Sequence, residues 1–278
     1  MSDLIFDIKE FALHDGSGLR TTVFFKGCPL RCEWCHNPEG QEYHSEIAKN
    51  EAKCLHFGLC KTQCNHPECK ELPYCIKVCP QNCIRVIGVE YSPKKLADEL
   101  LKNEYFLKKG GVTFSGGEPL THADFIIETV KHLKGIKTAL ETCGFVDRDT
   151  FMKGISVIDE IYMDIKLIDD NEHVKYTGMS NRIILDNAVA LLDSGRRVTF
   201  RVPLIPTVTD TNENLSGIAD FLKPYRDTIK VELIPYNMMT GAKYSSVGRS
   251  YNPSFDEKAP LNKNTPLFTE RGIECIAY

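Results

Sequence analysis

The sequence predicts an α/β fold: a mostly parallel sheet covered by helices, with a small cysteine-rich insert. Three observations lead to this prediction. Strand-like and helix-like segments alternate about six times along the chain, which is typical of a parallel sheet with helices outside. Glycines and charged residues directly follow several predicted strands, at the edge where such sheets bind their ligands. Ten of the twelve cysteines lie between Cys28 and Cys83.

The composition indicates a globular protein of 278 residues with enough apolar material for a sizeable core. The formal net charge of −4 gives no basic footprint, so we predict no nucleic-acid partner. Residues 1–10 lack the basic and apolar regions of a signal peptide, and no apolar run approaches the roughly 18 residues of a membrane span. We therefore expect a cytoplasmic protein without a membrane partner.

The first predicted strand, 21–25, is rich in β-formers and leads through Lys26 and Gly27 into a loop. That loop carries three cysteines. They are Cys28, Cys32 and Cys35. In a reducing cytosol, clustered cysteines bind metal more often than they form disulfides. Cys143 and Cys275 lie outside the cluster, and we interpret both as structural.

The segment 51–88 differs in composition from the rest of the chain. It has few large apolar residues and seven cysteines. These are Cys54, Cys60, Cys64, Cys69, Cys75, Cys79 and Cys83. A segment so poor in core residues needs metal or bridges to keep its shape. We predict that it is an insert in a domain formed by residues 1–50 and 89–278.

The remaining segments alternate between the two patterns. Ser92 can cap a helix, Pro93 suits its first turn, and Gly195 is placed to end a later helix. Helices are predicted at 92–108, 121–133, 147–153, 185–194 and 212–222. Strands are predicted at 112–114, 137–142, 160–165, 197–203 and 229–234.

The triplet Cys28-x3-Cys32-x2-Cys35 offers three thiolates from one short loop. A four-iron cluster normally takes four cysteines, so three would leave one iron open. An open coordination position is the usual mark of a catalytic metal site. The spacing alone also permits a zinc site or a structural cluster.

The segment from Cys28 to Cys35 resembles the CxxxCxΦC motif of the radical S-adenosylmethionine (SAM) superfamily, with Trp34 as the aromatic residue. The flanking runs HDGSGLRTT, at 14–22, and HNPE, at 36–39, resemble the opening of glycyl-radical-enzyme activating enzymes. The resemblance extends over nearly the whole chain. Ser17 departs from it, because the family usually has proline there.

The resemblance implies a partial (β/α)6 TIM-like barrel with a ferredoxin-like iron–sulfur insert. The three cysteines of the triplet would hold a [4Fe-4S] cluster whose open iron binds SAM. Cleavage of SAM would give a 5′-deoxyadenosyl radical, which removes a hydrogen atom from a glycine of a partner enzyme. The implied partners are a glycyl radical enzyme, through its C-terminal glycine loop, and a flavodoxin or ferredoxin reductant. We expect a monomer.

The resemblance also implies a SAM pocket. Gly116, Gly117 and Glu118 match a GGEP segment that contacts the methionyl amino group, although such a run alone is only a turn. Asp164 and Lys166 match a DxK motif at the same site. Trp34, Cys35 and His36 complete this group, with Trp34 near the adenine.

Four further positions match a monovalent cation site in a pyruvate formate-lyase activase. They are Glu141, Thr142, Met163 and Asp164, with the longer side chain of Glu141 in place of an aspartate. Arg201 aligns with an arginine that faces SAM or the substrate. Asn237 replaces a histidine that contacts the ribose, and asparagine can still form a hydrogen bond there. As isolated signals, charged residues at strand ends are more often only solvated.

In the insert, Cys75-x3-Cys79-Pro80 resembles the end of a bacterial ferredoxin run. The family implies up to two auxiliary [4Fe-4S] clusters, which need eight ligands, whereas the insert has seven cysteines. His56 or His66 would supply the eighth ligand, or one cluster is incomplete or absent, or the metal is zinc. Clusters here would relay electrons or support docking.

Two alternative functions remain open from the sequence. One is a radical SAM maturase that modifies a peptide or protein and carries auxiliary clusters. The other is a non-enzymatic iron–sulfur electron carrier or zinc-binding module. Formation of 5′-deoxyadenosine from SAM separates the enzymes from the carrier.

Overall fold

The computed structural model describes residues 1–61 and 75–278. Its strands are β1 (Asp3–Ala12), β2 (Arg20–Phe25), β3 (Glu46–Lys49), β4 (Ile84–Ile87), β5 (Val89–Tyr91), β6 (Gly111–Gly116), β7 (Thr138–Thr142), β8 (Glu160–Asp164), β9 (Val198–Leu204), β10 (Ile229–Pro235) and β11 (Glu274–Ala277). Its helices are α1 (Pro93–Leu100), α2 (Glu104–Leu107), α3 (Ala123–His132), α4 (Arg148–Ile155), α5 (Asp170–Thr177), α6 (Arg182–Asp193), α7 (Asn212–Leu222), α8 (Thr240–Ser246) and α9 (Pro266–Thr269).

The main sheet has the strand order β11-β10-β9-β8-β7-β6-β2-β1-β5. Strands β2 and β6 to β11 run parallel, whereas β1 and β5 are antiparallel at one edge. The predicted α/β fold with a mostly parallel sheet is therefore confirmed. Strands β2 and β6 to β10 correspond to the six strands expected of the partial barrel.

Strand β9 has one apolar face and one polar face. In β9, Phe200 and Val202 are fully buried, and Thr199 and Arg201 alternate with them. Because side chains alternate along a strand, the apolar residues face the helices and the polar residues face the barrel interior. Strands of parallel sheets usually bury apolar residues on both faces, so a polar interior marks a site.

The predicted helix at 92–108 is two helices in the structure. Ser92 caps α1 by accepting from Lys95 N, and Pro93 begins the helix, as predicted. The chain then makes a 3-10 turn, Leu101–Asn103, before α2. Asn103 explains the break, because asparagine is a weak helix former and its side chain donates to Glu10 in β1 at 2.6 Å.

Eight elements of the described chain were absent from the prediction, namely β1, β3, β4, β5, β11, α5, α8 and α9. Strand β1 carries several charged residues and β11 is short and partly exposed, so neither shows a clear alternation. Helix α5 buries only His173 and Thr177, which gives no apolar period to detect.

A two-stranded antiparallel ladder of β3 and β4 joins the cysteine-rich segment to the barrel. Ala48 and Ile87 from this ladder pack against Phe6 of β1. Cys64, Cys69 and His66 lie outside the described residues. The predicted insert boundaries, 51–88, stay a prediction.

Across residues 1–61 and 75–278, no helix combines the length and the apolar character needed to cross a membrane.

Candidate active site

The cysteine loop follows β2 at the carboxyl end of the sheet. Its start is fixed by main-chain hydrogen bonds, because Cys28 N donates to Gln41 O at 3.2 Å. Its end turns tightly, with Cys35 N donating to Cys32 O at 3.1 Å. Cys32 is buried, and Cys28 and Cys35 are half-buried. The structure therefore presents three thiols from one ordered loop.

Helix α5 supports this loop from the side. Its last carbonyl groups accept hydrogen bonds from the loop, from Arg31 N to Thr177 O at 2.7 Å and from Glu33 N to Tyr176 O at 3.0 Å. Trp34 is buried, and its ring lies 6.3 Å from that of Tyr176. The end of a helix leaves carbonyl groups without partners, so α5 is well placed to hold a loop.

Burial raises the pKa of all three thiols, that of Cys32 to about 12. For Cys28 the two neighbouring thiols add to the effect. Thiols in such surroundings lose their protons when a bound metal supplies positive charge. The donor set therefore fits a thiolate-bound metal centre. That these thiols ligate an iron–sulfur cluster stays a prediction.

An ion pair lies beside the cysteine loop. Lys166 Nζ contacts Asp164 Oδ2 at 2.6 Å, and the Lys166 side chain is largely buried. Burial alone would lower the pKa of Lys166, but Asp164, followed by the Cys32 and Cys143 thiols, raises it. The structure thus brings both residues of the predicted DxK motif, and Cys143, next to the triplet.

The end of β6 packs directly on the cysteine loop. A methyl group added to Gly117 would lie 2.2 Å from Gly27 O and 2.5 Å from Gly40 O, so only glycine fits there. Gly116 has a φ of +116°, which also favours glycine. These contacts bring the main chain of the predicted GGEP segment against the loop that follows β2.

Glu118 is fully buried, and both of its carboxylate oxygens have partners within the protein. Oε1 accepts from Leu120 N at 3.0 Å and from Thr142 Oγ1 at 2.6 Å. Oε2 accepts from Cys143 N at 2.8 Å. Glu118 therefore links the ends of β6 and β7. Its predicted contact with a cofactor amino group stays a prediction.

Arg201 is the centre of a charged cluster in the barrel interior. Its Nη1 lies 2.5 Å from Glu141 Oε1, and its Nε lies 3.0 Å from Glu232 Oε2. Its guanidinium also stacks over the Tyr162 ring at 4.3 Å. Burial alone would lower the pKa of Arg201, but the two carboxylates raise it. Strand register places these residues side by side, since Arg201 pairs with Glu232.

Glu141 has both oxygens engaged, because Ser115 Oγ donates to Oε2 at 2.6 Å and Arg201 binds Oε1. Burial raises the pKa of Glu141, and Arg201 opposes that shift. Thr142 Oγ1 donates a hydrogen bond to Glu118 Oε1, and the Met163 side chain is fully buried. The monovalent cation predicted at these positions stays a prediction.

The loop at 13–19 closes the amino end of the barrel. Arg201 Nη2 donates to His14 O at 2.8 Å, and Thr113 Oγ1 donates to Asp15 O at 2.6 Å. Ser17 N donates to Glu160 Oε2 at 3.1 Å. The segment that resembles the opening of the activating enzymes therefore packs beneath the interior cluster.

Two predicted cofactor residues lie at the surface. His36 is exposed at the end of the cysteine loop. Asn237 is exposed after β10, where its side-chain oxygen accepts from Met239 N at 3.0 Å. Their predicted roles stay predictions.

In the insert, the structure describes five of the seven cysteines. Cys79 Sγ and Cys83 Sγ lie 3.3 Å apart. Cys75 N donates to Cys60 O at 2.7 Å. Ligand atoms of Glu51, Cys54 and His56 all lie within 4.8 Å of one another.

Three residues of the site were not predicted as site residues from the sequence: Tyr162, Glu232 and Cys143. A usable signal existed for Glu232, which lies in the middle of a predicted strand. A charged residue inside a strand of a parallel sheet needs a buried partner, and Arg201 in the neighbouring strand is that partner.

The radical SAM superfamily model matches residues 22–222. The chain is 34% identical over 282 residues to the choline trimethylamine-lyase activating enzyme of Oleidesulfovibrio alaskensis, covering 91% of each protein. It is 36% identical over 272 residues to the trans-4-hydroxy-L-proline dehydratase activating enzyme of Clostridioides difficile, covering 90% of each. QueE from Escherichia coli shares the fold, with a TM-score of 0.52 at 12% identity over 100% of this chain and 94% of that chain. The predicted resemblance is thereby confirmed, and the chain belongs to the radical SAM superfamily and, within it, to the glycyl-radical enzyme activating enzymes.

Proposed function

We propose that this protein activates a glycyl radical enzyme. The observation that carries the proposal is the loop after β2 that presents the three thiols of Cys28, Cys32 and Cys35, in a chain similar over nine-tenths of its length to activating enzymes. When bound, the [4Fe-4S] cluster and SAM supply the chemistry, namely reductive cleavage to a 5′-deoxyadenosyl radical that takes a hydrogen atom from a glycine of the partner.

The chain's own residues hold and orient these groups. Cys28, Cys32 and Cys35 bind the cluster. The Lys166 ammonium, fixed by Asp164, offsets the negative charge that three thiolates bring into a largely buried site. Because Gly116 and Gly117 carry no side chain, the main chain at the end of β6 stays close to the loop. The same lack of side chains would let it approach the SAM amino group.

In this proposal, Arg201 holds a fixed positive charge that orients a bound molecule. It is held by Glu141 and Glu232 and is stacked on Tyr162, so its charge has one orientation in the barrel interior. A fixed guanidinium there orients SAM or the incoming glycine loop without proton transfer, since arginine stays protonated.

The finer assignments complete the proposal. Trp34, Cys35, His36 and Asn237 would complete the SAM pocket, and a monovalent cation would bind near Asp164. The insert would hold one or two auxiliary [4Fe-4S] clusters that relay electrons from a flavodoxin or ferredoxin. The protein would work as a monomer that docks the C-terminal glycine loop of its partner.

The test is co-expression with a candidate glycyl radical enzyme under anoxia, followed by electron paramagnetic resonance of the purified partner. We expect a glycyl radical signal with the unchanged protein and none with Cys32→Ala. Cys275→Ala is the matched control, since Cys275 lies on β11 away from the triplet. SAM cleavage without a radical on any partner would instead favour the maturase alternative.

A further inference from the structure

We propose that Cys54, Cys60, Cys79 and Cys83 together hold one iron–sulfur cluster, in which Cys83 replaces a ligand missing at Phe57. The inference rests on the proposal that the insert binds clusters, and it deepens that proposal by assigning the ligands. All five residues lie within the described part of the chain.

The cysteines of the insert form an internal repeat. The pattern C-x5-C-x3-C occurs twice, and the second copy follows the first at an offset of fifteen residues. The copies are Cys54, Cys60 and Cys64, then Cys69, Cys75 and Cys79. A bacterial ferredoxin run is C-x2-C-x2-C-x3-C, so each copy keeps its first, third and fourth positions. The second position is Phe57 in one copy and Leu72 in the other. Each copy is therefore a ferredoxin run that lacks one thiolate.

In ferredoxins with two such runs, the fourth cysteine of each run ligates the cluster of the other run. This rule assigns Cys54 and Cys60 of the first copy to one site, with Cys79 of the second. In the structure, one pocket is lined by these three cysteines and by Phe57. Within the described residues, the pocket thus brings together the three cysteines that the crossed rule assigns to one site.

Cys83 completes the set. It lines the same pocket, and its Sγ lies 3.3 Å from Cys79 Sγ. Its main chain is fixed, because Asn50 N donates to Cys83 O at 2.7 Å and β4 begins at the next residue. Ferredoxin-like runs usually have a small apolar residue at this position. A thiol there, next to the ladder of β3 and β4, supplies the fourth ligand.

Phe57 does not act as a core residue in this pocket, since 62% of its surface is exposed. The cluster of Glu51, Cys54 and His56 is a poorer alternative, because it offers one thiolate and Glu51 is paired with Lys49 at 2.7 Å. His56 instead donates its main-chain N–H to Cys54 Sγ at 3.4 Å. Hydrogen bonds of this kind to ligand sulfurs tune cluster potentials.

The test uses the full chain with Cys28, Cys32 and Cys35 all replaced by alanine, so that only the insert binds iron. After anaerobic reconstitution, iron, sulfide and zinc are counted per chain, and Mössbauer spectra are recorded. Adding Cys83→Ala should remove about four irons per chain or leave a three-iron cluster. Adding Phe57→Cys to that variant should restore the four-iron spectrum, because it returns the thiolate that the run lacks.

Cys275→Ala is the matched control and should leave the iron content unchanged. Equal iron in the Cys83→Ala and Cys275→Ala variants would overturn the assignment, as would zinc in place of iron. Failure of Phe57→Cys to restore the cluster would overturn the inference that Cys83 replaces a ligand missing at Phe57. The same comparison in the otherwise unchanged chain covers the case in which the triple variant does not fold.

The outcomes for this inference and for the proposed function are separable. An iron content that depends on Cys83, in a protein that produces no glycyl radical on any partner, would contradict the activase proposal and leave the ligand assignment standing. A glycyl radical signal on the partner, together with an iron content that does not depend on Cys83, would contradict the ligand assignment and leave the activase proposal standing.

Discussion

Replacing Glu118 by glutamine tests whether this residue links two strands or binds a cofactor. The buried carboxylate accepts from Leu120 N, Thr142 Oγ1 and Cys143 N. A glutamine amide has only one oxygen, so its nitrogen must face a main-chain donor on one side or the other. Losing one such bond to a charged acceptor should lower the free energy of unfolding by about 1–3 kcal/mol. Glu118→Ala removes all three acceptor contacts and should cost about 3–5 kcal/mol.

The assay is urea unfolding of the reconstituted protein under anoxia, followed by circular dichroism, together with calorimetric SAM binding under native conditions. Glu128→Gln is the matched control, because the Glu128 side chain on α3 is 45% exposed and forms a surface ion pair with Lys131. That change should stay within about 0.5 kcal/mol. We expect Glu118→Gln to lose stability while its SAM affinity changes little. An unchanged stability with an affinity loss of about tenfold, which is about 1.4 kcal/mol, would refute the structural role and favour a bond to the SAM ammonium.

Three further predictions concern stability. Gly117→Ala should cost about 1–3 kcal/mol in a urea titration, because its methyl group overlaps two carbonyl oxygens, whereas Gly135→Ala, with open space around it, should cost only about 1 kcal/mol of backbone strain. Arg201→Lys should cost about 1–3 kcal/mol, because lysine cannot bridge two carboxylates as the guanidinium fork does; equal stability in a thermal melt would contradict this. The Thr150 side chain and amide lower the pKa of Asp147, so its contribution to stability is present above the ordinary carboxyl range and lost as the pH falls through the lowered pKa. The stability difference between the unchanged protein and Asp147→Ala should therefore shrink between about pH 5 and pH 2, and a constant difference would contradict the assignment.

Much of the barrel follows from local signals in the sequence. Helix α7 has the predicted bounds, 212–222, because Thr211 caps it and its apolar residues keep a helical period. The predicted strand at 197–203 alternates between polar and apolar residues, and its bounds are shifted by one residue from those of β9. Such segments are predictable because neighbouring residues alone fix their pattern.

The missing pieces depend on contacts distant in sequence. Helix α5 is polar. Its last carbonyl groups accept hydrogen bonds from the cysteine loop, which lies more than 140 residues earlier in the chain. Strand β1 is defined by pairing with β2 and β5 and not by its own alternation.

The site shows the same division between local and distant signals. The cysteine triplet is a local motif, so the sequence alone revealed it. The charged cluster of Arg201, Glu141 and Glu232 joins three strands, and only the sheet register brings them together. Likewise, Glu118 was predicted from its motif, but its buried partners Thr142 and Cys143 belong to the next strand and its loop.

The central claim is that three thiolates at the end of β2 leave one iron of a cluster open to SAM. The most direct test is anaerobic incubation of the reconstituted protein with SAM and dithionite, with 5′-deoxyadenosine measured by chromatography. We predict one 5′-deoxyadenosine for each methionine formed, and none from the protein with Cys28, Cys32 and Cys35 replaced by alanine. Absence of 5′-deoxyadenosine from the fully iron-loaded, unchanged protein would contradict the account.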